Sequence, residues 1–210
     1  MQQIVSRITA QLSALAQQYP EAAAEYGSPT LNAGAAETDF AELENVLGYE
    51  LPADFKALYR AADGEAGEQF LLLENRWLPI AEAIAEYDNW KNLYEEGVFG
   101  DGGKDFGCEP EDTGIKPGYW WNPKWIPLTA DGAGNCFMID LDPAPNGTVG
   151  QVIQMWHDDA AREKIANSLR ELFEQYARDL ESGLYVLDKK YGLVLKSGLA
   201  EWQELNARMD

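Results

Sequence analysis

Residues 122–158 read NPKWIPLTADGAGNCFMIDLDPAPNGTVGQVIQMWHD, a stretch in which strand signals alternate with turn signals. Residues 125–129 and 136–141 are β-prone runs, and the DGAGN between them supplies the glycines that a tight reversal with positive φ requires. Residues 150–156 form a third run after a second reversal. Strands so close in sequence pair most simply as antiparallel neighbours. The stretch therefore predicts three antiparallel strands.

Helical spacing of apolar residues flanks these strands on both sides. Apolar positions recur every three or four residues from 4 to 19, which predicts an amphipathic helix. Asp39 and Glu42 stand in a capping-box arrangement, which predicts that Asp39 caps a second helix. The strongest helical stripe runs over residues 165–180 and must cover the sheet. Shorter helical patterns occupy residues 51–65 and 81–97.

The chain length bounds the domain organisation. With 210 residues, 46% of them hydrophobic, the chain fits one domain with one sizeable core. Residues 21–36 are small and turn-rich, and they are typical of a linker between the first helix and the main body. The sequence pattern after Gly183 is ambiguous. We interpret this tail as an extended pair followed by a last helix.

The charge is strongly acidic. Asp and Glu number 36 against 16 Lys and Arg, which gives a formal net charge of -20 and, with the rest of the composition, a pI near 4.3. A field of this sign repels phosphates, so the composition argues against nucleic-acid binding. The same field keeps a protein soluble and speeds association with a basic protein, and charge alone does not choose between these two roles.

The two cysteines, Cys108 and Cys136, are too few for a disulfide framework and lack the spacing of a zinc or redox site. They are predicted to be reduced thiols in a cytoplasmic protein. No run approaches the roughly 20 apolar residues of a membrane span, and no export signal is evident. Cys136 and the single histidine, His157, would meet across neighbouring strands, but a packed thiol is the simpler interpretation than a catalytic one.

The glycine-rich turn does not match the known ion-binding and phosphate-binding loops. An EF-hand counted from Asp131 would need an oxygen ligand at Ala133 and glycine at Cys136. A dinucleotide fingerprint would need a third glycine where Phe137 stands. We therefore predict no metal and no cofactor, and we interpret DGAGN first as a turn and second as the rim of a ligand site.

An acidic, glycine-rich segment without periodicity, residues 98–118, leads into a cluster of tryptophans. A loop of this length in a compact domain is usually functional or disordered. Tryptophan faces beside carboxylates stack sugars or anchor basic proteins, although tryptophans also pack sheets onto helices. Hairpin geometry requires no acid at either end of the turn. The candidate partner- or ligand-binding residues are Asp101, Glu109, Trp120, Trp121, Trp125, Asp131 and Asp140.

The succession ELENVLGYELPADFKALYRAADGE, WLPI, residues 122–158 and SLRELFEQY resembles the SUKH superfamily. That superfamily includes a yeast regulator of cell-wall assembly and bacterial immunity proteins of polymorphic toxin systems. The resemblance puts the family's tryptophan-proline strand on Trp125 and Pro127, its acidic turn on Asp131, Gly132 and Gly134, its strand-end acid on Asp140 and the following glycine on Gly150. The helix-entering pair is Leu51 and Pro52, and Asp63 and Gly64 end that helix.

The resemblance implies an α+β fold, a single domain with a mixed, mostly antiparallel sheet flanked by helices. It also implies no catalytic activity and action through binding other proteins. The predicted organisation is an N-terminal helix and linker over residues 1–36, a SUKH-like domain over 37–183 and a C-terminal extension over 184–210 that packs on the domain.

Three functional hypotheses follow. The leading one is a non-enzymatic, immunity-type protein whose acidic surface binds a basic partner, a toxin domain such as a nuclease, and blocks it. The alternative is a regulatory module that binds a small ligand or glycan in a sheet pocket lined by Trp125, Asp131 and Asp140. The third is an enzyme that uses Cys136 and His157. The partner's identity and the oligomeric state stay open.

Overall fold

The structure is a computed structural model that describes residues 1–100 and 107–200. The helices, numbered along the chain, are α1 (Gln2–Gln18), α2 (Pro20–Tyr26), α3 (Glu37–Leu47), α4 (Ala53–Tyr59), α5 (Ile80–Glu95) and α6 (Leu169–Glu181), and residues 196–200 are also helical. The strands are β1 (Arg76–Trp77), β2 (Glu109–Pro110), β3 (Trp125–Pro127), β4 (Thr129–Ala130), β5 (Cys136–Asp140), β6 (Gln151–Met155), β7 (Ala161–Arg162), β8 (Lys164–Ala166), β9 (Tyr185–Asp188) and β10 (Gly192–Leu195).

The central sheet has four strands in the order β3-β5-β6-β8, and every neighbouring pair is antiparallel. Trp125 lies opposite Asp140, and Asp140 lies opposite Gln151. All residues of β3, β5 and β6 are buried, so both faces of the sheet are covered. The α+β class and the antiparallel strands predicted from residues 122–158 are confirmed.

Three two-stranded sheets are also found in the described part of the chain. β1 pairs with β4 and β9 pairs with β10, both antiparallel, whereas β2 and β7 pair in parallel. The parallel pair makes the strand arrangement mixed and mostly antiparallel, in agreement with the predicted fold class. It joins the segment after residue 107 to the strand that precedes β8.

Two helix starts differ from the sequence prediction. The helix assigned to an Asp39 cap has its N-cap at Ala36, and the Asp39 carboxylate instead accepts a hydrogen bond from the Ala36 N–H at 2.7 Å. The stripe predicted over residues 165–180 begins as a helix at Leu169, because the Ser168 hydroxyl caps it by accepting from the Glu171 N–H. Ile165 belongs to β8 instead.

The segment predicted to be a linker is partly helical, since α2 lies within residues 21–36 except for its first residue. Alanine-rich sequence favours helix even where turn residues follow closely. α1 packs against α6, and Arg7 of α1 bridges Glu174 at 2.6 Å and Glu181 at 2.7 Å. The first helix is therefore part of the folded body that surrounds the sheet.

Candidate binding site

Trp125 and Asp140, two of the predicted site residues, meet inside the protein. Both are 0% exposed, and the Trp125 Nε1–H donates to Asp140 Oδ1 at 3.0 Å. Their strands are adjacent, and the register places the two residues directly opposite each other. A side chain with no accessible surface has nothing to present to a partner, so neither residue contacts a ligand in this conformation.

Asp140 has an interior function in holding the strand ends together. Besides Trp125, its carboxylate accepts the Gln151 Nε2–H at 2.8 Å and the Asp142 backbone N–H at 2.9 Å. Burial raises the pKa of Asp140, and these three donors oppose that rise without cancelling it. The acid at the end of β5 is thus explained by two buried donors and one partly buried donor that need an acceptor.

The same network anchors the segment before the sheet. The Gln151 side chain also donates to the Gly114 carbonyl at 2.9 Å. Lys116 pairs with Asp142 at 2.7 Å, and Asn122 donates to Asp142 at 3.0 Å. Polar contacts therefore tie residues 114–122 to the end of β5 and the start of β6.

The tryptophan cluster divides between the core and a partly buried position. Trp121 is 0% exposed and packs edge-on against Tyr87 and Tyr94, with ring centroids 5.3 and 5.8 Å away. Trp120 is partly buried, with the Arg162 guanidinium 5.2 Å from its ring centroid. Of Trp120, Trp121 and Trp125, Trp120 alone keeps accessible surface for a partner. Glu109 is exposed in β2, and Asp101 lies outside the described residues.

Arg162 is a feature that sequence reasoning missed. Its side chain is 0% exposed, and it donates to the carbonyls of Asp159, Ala161 and Trp120 at 2.6 to 2.8 Å. No carboxylate of the described chain lies within ion-pair distance of it, and burial lowers its pKa to about 10. The sequence around it, AREK, gives no signal of burial because such runs normally form solvated helix faces.

Asp131 lies in the turn of the hairpin and organises it. Its carboxylate accepts hydrogen bonds from the N–H groups of Ala133 and Asn135 at 2.8 and 2.9 Å, and from the Asn135 side chain at 2.6 Å. Gly132 and Gly134 adopt positive φ angles of 79° and 102°. The DGAGN stretch is accordingly the predicted turn, and Asp131 stays partly exposed at its edge.

Asp131 also lines a cavity of about 430 Å³, within the size range of small-ligand sites. This cavity, called here the acidic-aromatic cleft, brings together segments that are far apart in sequence. Its lining combines the carboxylates of Glu68, Glu74 and Asp131 with the rings of Tyr26, Phe70 and Tyr191, together with Gln69, Gly192, Leu193 and Val194. Of the predicted site residues that the structure describes, Asp131 alone lines it.

One wall of the cleft is fixed by a buried acid, Glu65. Its carboxylate accepts from the backbone N–H groups of Gln69, Phe70 and Leu71 at 2.9 to 3.1 Å, and Glu65 is 0% exposed. Burial raises the pKa of Glu65 although these bonds lower it. The wall is also strained, because Phe70 and Glu74 have φ angles of 54° and 61°, which non-glycine residues rarely adopt.

The arrangement does not favour thiol catalysis. Cys136 is 1% exposed within β5, and burial raises its pKa well above the usual range. His157 is exposed, and its Nδ1 lies 2.9 Å from Asn135 Oδ1. A nucleophilic cysteine requires a lowered pKa and an adjacent base, and Cys136 has the opposite shift.

Cys136 should therefore be inert in the folded protein. We expect iodoacetamide at neutral pH to leave Cys136 unmodified over hours and to modify it within minutes in denaturant, because only the exposed thiolate reacts. Peptide mass spectrometry before and after unfolding measures this directly. Rapid alkylation of native Cys136 would restore the enzyme hypothesis.

The described ranges contain neither a preformed metal site nor a membrane-spanning helix. No group of three or more His, Cys, Asp or Glu side chains is placed to hold a metal ion there. Within those ranges, every helix is also too short or too polar to cross a membrane.

A family model provides the decisive comparison with known proteins. The SMI1 / KNR4 family (SUKH-1) matches residues 34–175, more than half of the chain. The chain belongs to the SMI1/KNR4 family. This confirms the SUKH resemblance, and it leaves five residues that line the cleft outside the part of the chain that the family model covers: Tyr26, Tyr191, Gly192, Leu193 and Val194.

Fungal members of the SMI1/KNR4 family are similar to this chain over most of its length. The "Cell wall biosynthesis/cell cycle regulator smi1" of Schizosaccharomyces pombe is 30% identical over 74% of this chain and 33% of its own length. The "Glucan synthesis regulatory protein" of Neurospora crassa is 25% identical over 81% of this chain and 37% of its own. The "Cell wall assembly regulator SMI1" of Saccharomyces cerevisiae is 26% identical over 75% and 37%. The chain thus spans about a third of the length of these relatives, which are named as regulators.

Proposed function

We propose that this chain is a non-enzymatic regulatory module that acts by binding a basic protein. The observation that carries the proposal is the acidic-aromatic cleft on a chain of net charge -20. Carboxylates beside aromatic rings form a complementary surface for cationic side chains. Membership in a family whose relatives are named as regulators supports a binding role in place of catalysis.

The contact residues proposed from the sequence are revised by burial. Glu109, Trp120 and Asp131 keep surface that a partner can touch. Trp121 is buried, as are Trp125 and Asp140, so these side chains stabilise the fold and do not contact a partner. The proposed contact surface is therefore the cleft around Asp131, extended by exposed acids elsewhere on the chain.

The finer form of the proposal concerns the partner's identity. A toxin domain, such as a basic nuclease, is the immunity-type partner that an acidic surface would capture and block. A component of cell-wall regulation is the partner class that the names of the fungal relatives suggest. In both forms of the proposal the chain binds a basic partner, and the partner's own activity distinguishes the two forms.

A small-ligand role has one observation in its favour, the volume of about 430 Å³ of the cleft. The sheet pocket expected from Trp125, Asp131 and Asp140 is not assembled, because Trp125 and Asp140 are buried. A sugar or nucleotide that binds the native state must raise its melting temperature. A panel of such ligands that leaves the melting temperature unchanged would remove this candidate.

The experiment for the main proposal is capture followed by quantitative binding. The immobilised chain is exposed to a native lysate at low salt, and each captured protein is identified, purified and titrated against it. We expect a basic partner whose affinity falls steeply between about 50 and 300 mM salt, because exposed charges are screened over that range. Inhibition of a partner nuclease at a one-to-one ratio would support the immunity form. A partner of neutral charge with salt-independent affinity would contradict the proposal.

A further inference from the structure

The acidic-aromatic cleft has an uneven charge distribution that points to a specific kind of ligand. Glu68 is 79% exposed at its side chain, with Arg76 only at 3.8 Å. Glu74 is exposed, and in the described part of the chain it has no hydrogen bond or ion pair. The Asp131 carboxylate bonds only neutral groups of its own turn. The cleft therefore carries negative charge that no cation in the described chain fully balances.

Its aromatic walls select the shape of the cation. A planar guanidinium stacks on rings and forms paired hydrogen bonds with carboxylates, whereas an ammonium does neither as well. Tyr191 already has the Lys190 ammonium 5.2 Å from its ring centroid, so a cation is accommodated at this rim. The Tyr26 hydroxyl donates to the Lys190 carbonyl, which holds the two tyrosines on the same side of the cleft.

The wall also contains an unsatisfied acceptor. The amide nitrogen of Gln69 donates to the Tyr26 carbonyl at 3.2 Å, while Gln69 Oε1 is buried without a partner in the described chain. A buried acceptor without a donor destabilises the unbound state. Because this oxygen has no accessible surface, an N–H donor of a ligand would reach it only after the Gln69 side chain rotated.

We propose that the acidic-aromatic cleft binds an arginine side chain of the partner, held by Glu68 and Glu74 and stacked on the tyrosine rings. The inference deepens the proposed function and rests on it for the biological partner. It also assigns a role to the flanking segments. Tyr26 and Tyr191 lie outside residues 34–175, so the segments beyond the family core give the site its preference for arginine.

The test uses capped tetra-arginine and tetra-lysine peptides titrated calorimetrically at low salt into the whole chain. We expect tetra-arginine to bind about tenfold more tightly than tetra-lysine, since stacking and paired hydrogen bonds favour the guanidinium. The double variant Glu68→Gln/Glu74→Gln should weaken tetra-arginine binding about tenfold.

A matched control separates the cleft from general attraction to an acidic chain. Glu42→Gln/Glu50→Gln removes the same charge from exposed positions that do not line the cleft. Within the described chain, neither side chain forms a hydrogen bond or an ion pair. This pair should change the affinity less than about twofold. Equal weakening by both pairs, or equal affinity for the two peptides, would overturn the proposal.

A gain of binding provides a readout that misfolding cannot imitate. Lys190→Gln removes the cation beside the Tyr191 ring and should tighten tetra-arginine binding about threefold. An unchanged or weaker affinity of Lys190→Gln for tetra-arginine would count against the cleft as the binding site.

The failure of the cleft and the failure of the proposed function are distinguishable. If the captured partner binds Glu68→Gln/Glu74→Gln as well as it binds wild type, the proposed function stands and the cleft is not its site. If the peptides behave as expected but no basic partner is captured, the cleft stands and the proposed function fails.

Discussion

Replacement of Asp140 by alanine is expected to lower the free energy of unfolding by about 3 kcal/mol, because two buried donors and one partly buried donor lose their acceptor together. The donors are the Trp125 indole N–H, the Gln151 amide and the Asp142 backbone N–H. The Trp125 and Gln151 donors gain no access to water in the folded variant, since both residues are 0% exposed, whereas Asp142 is partly exposed. Urea denaturation followed by tryptophan fluorescence measures the loss.

Asp131→Ala is the matched control for this prediction. Asp131 also accepts three hydrogen bonds, but it lies in a partly exposed turn where water can replace the carboxylate. We expect its loss to cost less than about 1 kcal/mol. Similar small losses for both variants would show that the interior network around Asp140 is not a stabilising feature.

The pH dependence of the Asp140 variant has a definite sign. Burial raises the pKa of Asp140 in the folded state above its ordinary value of 3.8, which applies to the unfolded state. Between the unfolded-state pKa and the higher folded-state pKa, the folded state therefore binds more protons than the unfolded state. The contribution of Asp140 to stability therefore increases as the pH falls through that window. The destabilisation by Asp140→Ala should be larger at about pH 4 than at about pH 7.

Glu65→Ala is expected to have an effect of similar size, about 3 kcal/mol, and to loosen one wall of the acidic-aromatic cleft. The Glu65 carboxylate holds the backbone N–H groups of Gln69, Phe70 and Leu71 in a segment with strained φ angles. Without that acceptor the strain has no compensation. Hydrogen exchange should become faster at residues 69–71, and chemical denaturation should report the loss of stability.

Glu68→Ala provides the comparison within the same segment. Glu68 is 79% exposed and contributes no backbone contact to the strained turn. Its removal should change the free energy of unfolding by less than about 0.5 kcal/mol and leave exchange at residues 69–71 unchanged. If Glu65→Ala behaved in the same way, the cleft wall would have to be held by other contacts.

The strands were predictable from the sequence because their signals are local. The β-prone runs around DGAGN and the glycines of the turn determine the β3-β5-β6 pairing without reference to the rest of the chain. The start of α6 was harder to predict from the sequence. The apolar residue Ile165 fits a helical stripe, and only its pairing within β8 excludes it from the helix.

Burial of the tryptophans could not be predicted from local pattern. Trp120 and Trp121 are adjacent, and periodicity does not say which one faces the core. Trp121 faces the core because Tyr87 and Tyr94, which lie on α5, pack against it. Asp140 posed the same difficulty, because its donors come from strands and loops on both sides of it.

The cleft was the least predictable part, because its lining is brought together by tertiary structure. Tyr26 ends α2, Phe70 lies in the segment held by Glu65, and Tyr191 lies in the turn between β9 and β10. Asp131 was a candidate from its place in the hairpin turn. The remaining residues carry no motif, and only the fold makes them neighbours.

The central claim is that a basic partner binds through the acidic-aromatic cleft. Its most direct test is the dissociation constant of the purified partner with wild type, with Glu68→Gln/Glu74→Gln and with Glu42→Gln/Glu50→Gln, measured at one salt concentration. The predicted result is a loss of about tenfold for the cleft pair and less than about twofold for the control pair. Equal dissociation constants for wild type and the cleft pair would contradict the claim.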